Sequence, residues 1–234
     1  ANRHSTVSVE RAILRLLGFD GSYDVQGVSY PQANLIMEKI PRKEWGLGAA
    51  MLIAGVKQRN PRWSQDRMAE KIIRDEVSFE RVDNLSPETA HEILKPWIGE
   101  AITQFDRMRS KNGEHRARSK GDRAFTKISV AIGSGNIDDD MKQVNLVGTL
   151  GADIIEMVRS SGQSLLDYLP TGATTTGFGG TFLTQGNLRL MRETIGRSCE
   201  KSRHTSCLAA NASGLCAPEI AVMGIWERVH TLTA

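Results

Sequence analysis

The segment of this chain best equipped for chemistry is Arg159-Ser160-Ser161-Gly162-Gln163-Ser164. It follows directly on the apolar run Ile154 to Val158. A buried strand ending in this way sets one fixed cation and several donors at a strand C-terminus, where α/β folds place their ligands. The planar fork of arginine suits a phosphate, and hydroxyls with free backbone N–H groups fill the remaining lone pairs. The same residues would also serve as a plain surface loop, with Arg159 in a local ion pair.

Two further segments offer similar donors. Pro170 to Gln185 carries four glycines and six threonines ahead of a helical pattern. Such a loop is entropically costly to order and is usually kept for a ligand. It is not a Walker loop, since no Gly-Lys-Ser/Thr follows. Asn211 to Glu219 again places small donors just before a helix N-terminus, a favourable place for an anion. Gly133-Ser134-Gly135, with Asp153 twenty residues after Gly133, imitates a dinucleotide fingerprint. The third glycine position is Asp138, however, and Asp153 precedes its strand where a ribose-binding acid belongs at the end.

These loops need elements to hold them. After Arg123 the chain alternates strand and helix: strands at 124–132, 152–158 and 206–210, helices at 137–150, 185–201 and 218–232. Such alternation implies a parallel sheet. Before it, residues 5 to about 120 read as helices. Ser5 or Thr6 caps the first, small residues fill 46–56, and 64–74 is short. Ser86-Pro87 starts a long helix from Glu88 to Met108. The polar stretch 111–123, with Gly113 and Gly121, reads as a linker. The expected architecture is therefore α/β: residues 1–120 a helical N-terminal region, and residues 121–234 about three βα units.

The 234 residues are 40% hydrophobic and 24% charged, a globular composition. A net charge of +3 is too weak to argue for a nucleic-acid partner. No segment approaches the ~20 apolar residues of a membrane span. Residues 1–4 carry no apolar signal core, and the expected location is the cytoplasm. Cys199, Cys207 and Cys216 are then expected as free thiols. Their spacing with His204 fits no zinc pattern, so no metal site is expected.

Thr6 to Asp20, Leu47 to Ala54, Gly135-Asn136-Ile137, Arg159 to Pro170, Gly172 to Met191 and Ser213 to Arg228 resemble, in order, the barrel subunit of the lysine 5,6-aminomutases. They are also similar to the barrel part of the D-ornithine 4,5-aminomutases. The resemblance implies a partial TIM barrel and a radical isomerase that uses adenosylcobalamin and pyridoxal 5′-phosphate. The reaction would be a 1,2-amino shift on D-lysine, β-lysine or D-ornithine. The cofactors carry that chemistry, and the protein positions and shields them. By the same resemblance Arg159 and Ser164 hold the pyridoxal phosphate, Ser213 contributes from the third loop, and Gln163, Thr181 and Asn211 are neighbours. No catalytic residue is assigned.

This chain departs from the family at three places. An asparagine often stands three residues before the loop serine, but position 210 is alanine, with Asn211 beside it. The lysine that anchors the pyridoxal, and the cobalamin motif, belong in the family to a Rossmann-type domain or subunit, which is the implied partner. Family barrels also continue through further strands carrying a tyrosine, an arginine and an aspartate. The chain is thus expected to be the N-terminal part of a barrel subunit, as a truncated product or one piece of a split subunit. It would be inactive alone and would need a second chain to complete the barrel. The alternative function is a non-catalytic half-barrel that binds a phosphate ligand or a partner.

Overall fold

The computed structural model describes residues 7–25, 28–41, 48–79, 82, 85–119, 126–158, 184–202, 204–211 and 217–233. The chain divides into two compact units, Ala1–Gln104 and Phe105–Ala234.

The first unit contains α1 (Val7–Leu16), β1 (Ser22–Val25), β2 (Val28–Pro31), α2 (Gln32–Lys39), α3 (Gly48–Arg59), α4 (Gln65–Ile73) and the first half of α5 (Pro87–Ser119). Leu14, Phe19, Ile36, Ile53, Met68 and Ile72 form its core, where the Phe19 and Trp97 rings meet edge-on at 6.0 Å. Buried Glu10 of α1 accepts from the Gly48 and Ala49 N–H groups, both at 3.1 Å, and so caps α3 with a negative charge. Ser64 caps α4 through the Arg67 N–H, and Ser86 caps α5 through the Thr89 N–H at 3.2 Å, the latter as its sequence position anticipates. The Glu88 carboxyl lies below its ordinary range, held there by its own backbone N–H and by the Ser86 hydroxyl.

Two local expectations are corrected here. The N-terminal region is not all helix, because β1 and β2 pair as an antiparallel hairpin. Residues 111–119 are not linker but the last turns of α5, which also runs through Pro96. Gly113 costs a helix about 1 kcal/mol, and packing against the sheet unit outweighs so small a term. Asn112 Nδ2 donates to the Val229 carbonyl at 3.2 Å, and Phe105 stacks on Trp226 at 4.9 Å.

In the second unit β3 (Ser129–Ile132), α6 (Ile137–Thr149), β4 (Ile154–Met157), α7 (Gln185–Ser202), β5 (Cys207–Asn211), α8 (Ala217–Trp226) and β6 (Thr231–Thr233) follow the second half of α5. The pattern at 218–232 is therefore not one helix. It breaks after Trp226, with Arg228 at a positive φ of 56°, and Thr231–Thr233 adds a fourth strand. The four strands are parallel in the order β3-β4-β5-β6. No closed barrel forms among the described residues.

Alternation sorts the strand residues. Ile132, Ile155, Met157, Leu208 and Ala210 are buried together with Val144 of α6, Leu188 and Met191 of α7, and Ile220 and Met223 of α8. The opposite face carries the row Ala131, Glu156, Ala209 and Thr231, aligned by the strand register. Sequential parallel strands joined by right-handed crossovers put all their helices on one face, which accounts for this asymmetry.

Helix α6 packs closely on α7, where a Cβ placed on Gly148 would lie 2.8 Å from the Ser198 Cβ. Gly148→Ala is expected to destabilise the chain. Overpacking of about 1–3 kcal/mol exceeds the helix-propensity gain of up to about 1 kcal/mol. A lower urea midpoint checks this, and an unchanged or raised midpoint contradicts it.

Candidate functional site

The carboxyl edge of the parallel sheet is the place where this fold collects ligand-binding residues. At that edge Val158 continues β4, its N–H donating to the Ile132 carbonyl at 2.8 Å. Asn211 closes β5, one residue past Ala210, which is in register with Met157. The segments 159–183 and 212–216 therefore leave from adjacent strand ends, about 5 Å apart. The first returns at Thr184, whose hydroxyl accepts the Asn187 N–H at 3.1 Å and caps α7. The second returns at Ala217, the first residue of α8.

Of the sequence-derived site residues, Asn211 is described. It is half-buried at the end of β5 and in register with Thr233 of β6. Arg159, Gln163, Ser164, Thr181 and Ser213 lie outside the described residues, as does Cys216. Cys199 and Cys207 are in no disulfide among the described residues.

The structure adds Glu156, which sequence reasoning passed over. It stands on the sheet face opposite the helices, two residues before Val158, and its carboxylate accepts a hydrogen bond from the Thr233 hydroxyl. Thr233 is also within 3.5 Å of the Ala210 carbonyl. Glu156, Asn211 and Thr233 thus form a polar group from β4, β5 and β6 directly below the two loop exits. One sequence signal pointed to Glu156: it is the single acid inside the run from Ile154 to Val158. A charge is rarely placed in a buried parallel strand without a partner.

The first strand-end loop is closed on itself. The Ser134 N–H and hydroxyl donate to Asp140 Oδ1 at 2.8 and 2.7 Å, and Gly135 turns with φ 90°. Asn136 Oδ1 caps α6 through the Asp138 N–H at 2.9 Å. Asp153 lies at the opposite edge, buried, accepting the Ile128 N–H at 2.8 Å with Lys127 and His204 nearby. Among the described residues the strand order also has no reversal to make a dinucleotide crevice. Ser134, Asp140 and Asp153 thus serve the structure of the first βα unit.

Glu227 fixes the start of α7 to the end of α8. It is 3% exposed and accepts from Arg189 at 2.7 Å, Arg192 at 3.4 Å and Gln185 at 3.2 Å. This network holds in place the helix to which the glycine-rich segment returns.

Fold and edge together define a singly wound parallel α/β protein whose strand-end loops carry its polar donors. Residues 1–234 match the family described as the D-lysine 5,6-aminomutase TIM-barrel domain of the alpha subunit, and the chain belongs to that family. It is 36% identical over 233 residues to the lysine 5,6-aminomutase alpha subunit of Acetoanaerobium sticklandii, covering 98% of this chain and 44% of that protein. The alpha subunit from Fusobacterium nucleatum subsp. nucleatum is 37% identical over the same shares. The D-ornithine 4,5-aminomutase subunit beta of Acetoanaerobium sticklandii is 33% identical over 103 residues, 44% of this chain and 14% of that protein. The chain spans less than half the length of these curated relatives. Among the described residues no helix is long and apolar enough to cross a membrane.

Proposed function

We propose that this chain is the phosphate-holding part of a TIM-type barrel in an aminomutase dependent on adenosylcobalamin and pyridoxal 5′-phosphate. The observation that carries the reading is the match to alpha subunits of lysine 5,6-aminomutase along 98% of the chain. The adjacent exits of segments 159–183 and 212–216 at one sheet edge support it. The donor set fits the cofactor: Arg159 with Ser164 and Ser213 supplies one cation and two hydroxyls for a phosphate, with Gln163, Thr181 and Asn211 beside them. Bound together, the two cofactors supply a radical amino shift between neighbouring carbons of D-lysine, β-lysine or D-ornithine. This chain's part is to hold the phosphate, to orient the ring it belongs to, and to keep water from the reacting atoms. Glu156 and Thr233 form the polar floor under that edge, the Thr233 hydroxyl donating to the Glu156 carboxylate.

The remainder of the machinery is assigned to partners: a Rossmann-type subunit with the cobalamin and the Schiff-base lysine, and chain that continues the barrel. The sheet edges suit such an extension, since Leu232 on β6 is 40% exposed and Ile128, just before β3, is 52% exposed. Titration of the purified chain with pyridoxal phosphate, followed by absorbance, tests the cradle. Saturable binding is expected, with turnover of D-lysine or D-ornithine only when the partner chains and adenosylcobalamin are added. Absence of saturable binding would overturn the reading. Binding with no turnover in the full mixture would favour the non-catalytic half-barrel.

A further inference from the structure

The N-terminal edge of the sheet, opposite the loops, gathers three ligand-type side chains that no local sequence pattern connects. His115 comes from the last turns of α5, Cys207 opens β5, and His230 immediately precedes β6. One ligand atom from each lies within 4.8 Å of the other two, and all three residues are half-buried. The two imidazole rings are 4.5 Å apart at centroid and tilted by 39°. We propose that His115, Cys207 and His230 form a binding site for a single divalent transition ion of the zinc type.

The donor set has the right character. Two imidazoles and a thiolate suit a borderline-soft ion and disfavour calcium or magnesium, which take oxygen. Side-chain adjustments of an ångström or so bring the three atoms onto a common tetrahedral centre with bonds of about 2.0–2.3 Å. The backbone around them is firmly placed. The His230 N–H donates to the Leu208 carbonyl at 2.8 Å, and the Cys207 N–H donates to the Asp153 carbonyl at 2.8 Å. His230 Nδ1 accepts the Leu208 N–H at 3.1 Å, so coordination through Nδ1 replaces that contact and leaves the ring proton on Nε2. His230 also lines a cavity of about 590 Å³ together with Phe105, Arg109, Asn112 and Val229. The cavity gives the ion an entry path and a source for a water as fourth ligand.

The position indicates the role. In barrel-type sheets the N-terminal edge serves stability, while ligands gather at the carboxyl edge. An ion here would clasp the end of α5 to β5 and β6, three segments far apart in the chain. Binding displaces the Cys207 thiol proton, so affinity falls with decreasing pH.

Cobalt substitution of the full, tag-free chain under reducing conditions tests the site. The expected result is one equivalent of Co²⁺ with a thiolate-to-cobalt charge-transfer band, displaced by one equivalent of Zn²⁺. Cys207→Ser should abolish the band, and His230→Ala and His115→Ala should each weaken zinc binding by more than about 100-fold. Cys199→Ser should leave both unchanged and controls for adventitious thiol binding. Circular dichroism confirms that each variant is folded before it is scored. The proposal is overturned if no stoichiometric ion binds, if the band survives Cys207→Ser, or if both histidine variants bind as the parent does.

Discussion

Glu227→Ala is expected to lower stability by about 3 kcal/mol, the largest loss from any single truncation proposed for the sheet unit. The carboxylate is 3% exposed and gathers Arg189, Arg192 and Gln185. Removing one partner of a buried pair leaves desolvated charge behind, and such changes cost about 3–5 kcal/mol. The lower end applies, because the Arg189 side chain is 53% exposed and recovers water. Glu227→Gln keeps the shape and one acceptor but removes the negative charge that Arg189 and Arg192 share, so it should recover less than half of the loss. Urea unfolding by circular dichroism measures both. A loss below about 1 kcal/mol for the alanine variant would show that the network is solvated in solution and of little consequence.

Arg159→Ala is expected to weaken pyridoxal phosphate binding by about 10–100-fold. That range corresponds to the ~1.5–3 kcal/mol of a hydrogen bond to a charged group. Ser164→Ala and Ser213→Ala should each cost less, about 2–10-fold, the share of a single hydroxyl donor. Arg159→Lys should restore the charge but not the two-pronged geometry, and should bind between parent and alanine variant. Asp138→Ala is the control, since that acid sits exposed in the first turn of α6, in a loop closed by Ser134 and Asp140. Absorbance titrations give the constants. Binding by Arg159→Ala within about twofold of the parent would remove the arginine from the phosphate site.

Local sequence rules were sufficient wherever the deciding interaction lies within a few residues. Ser86 was a recognisable helix cap because a cap bonds to a backbone N–H two or three positions ahead. Strand–helix alternation after residue 123 announced a parallel sheet, because strands that alternate with helices are joined by crossovers that return each strand in the same direction. The family was legible for a related reason: the block from Arg159 to Met191 is long, unusual in composition and contiguous in the chain.

Tertiary structure decided what depends on distant neighbours. Residues 111–119 look like a linker because the stretch 111–123 is polar and holds Gly113 and Gly121. They become helix where α5 lies against the sheet unit, through Asn112 and Phe105. Thr231–Thr233 is too short to register as a strand and becomes one only by pairing with β5. Glu156 acquires meaning from Thr233, 77 residues later, and its face is set by the register. His115, Cys207 and His230 converge because a parallel sheet brings the starts of its strands to one edge and α5 ends there. Residue types and short-range spacing were available from the sequence by itself. Which side chains meet across the sheet depends on closing loops of tens of residues, which no local pattern encodes.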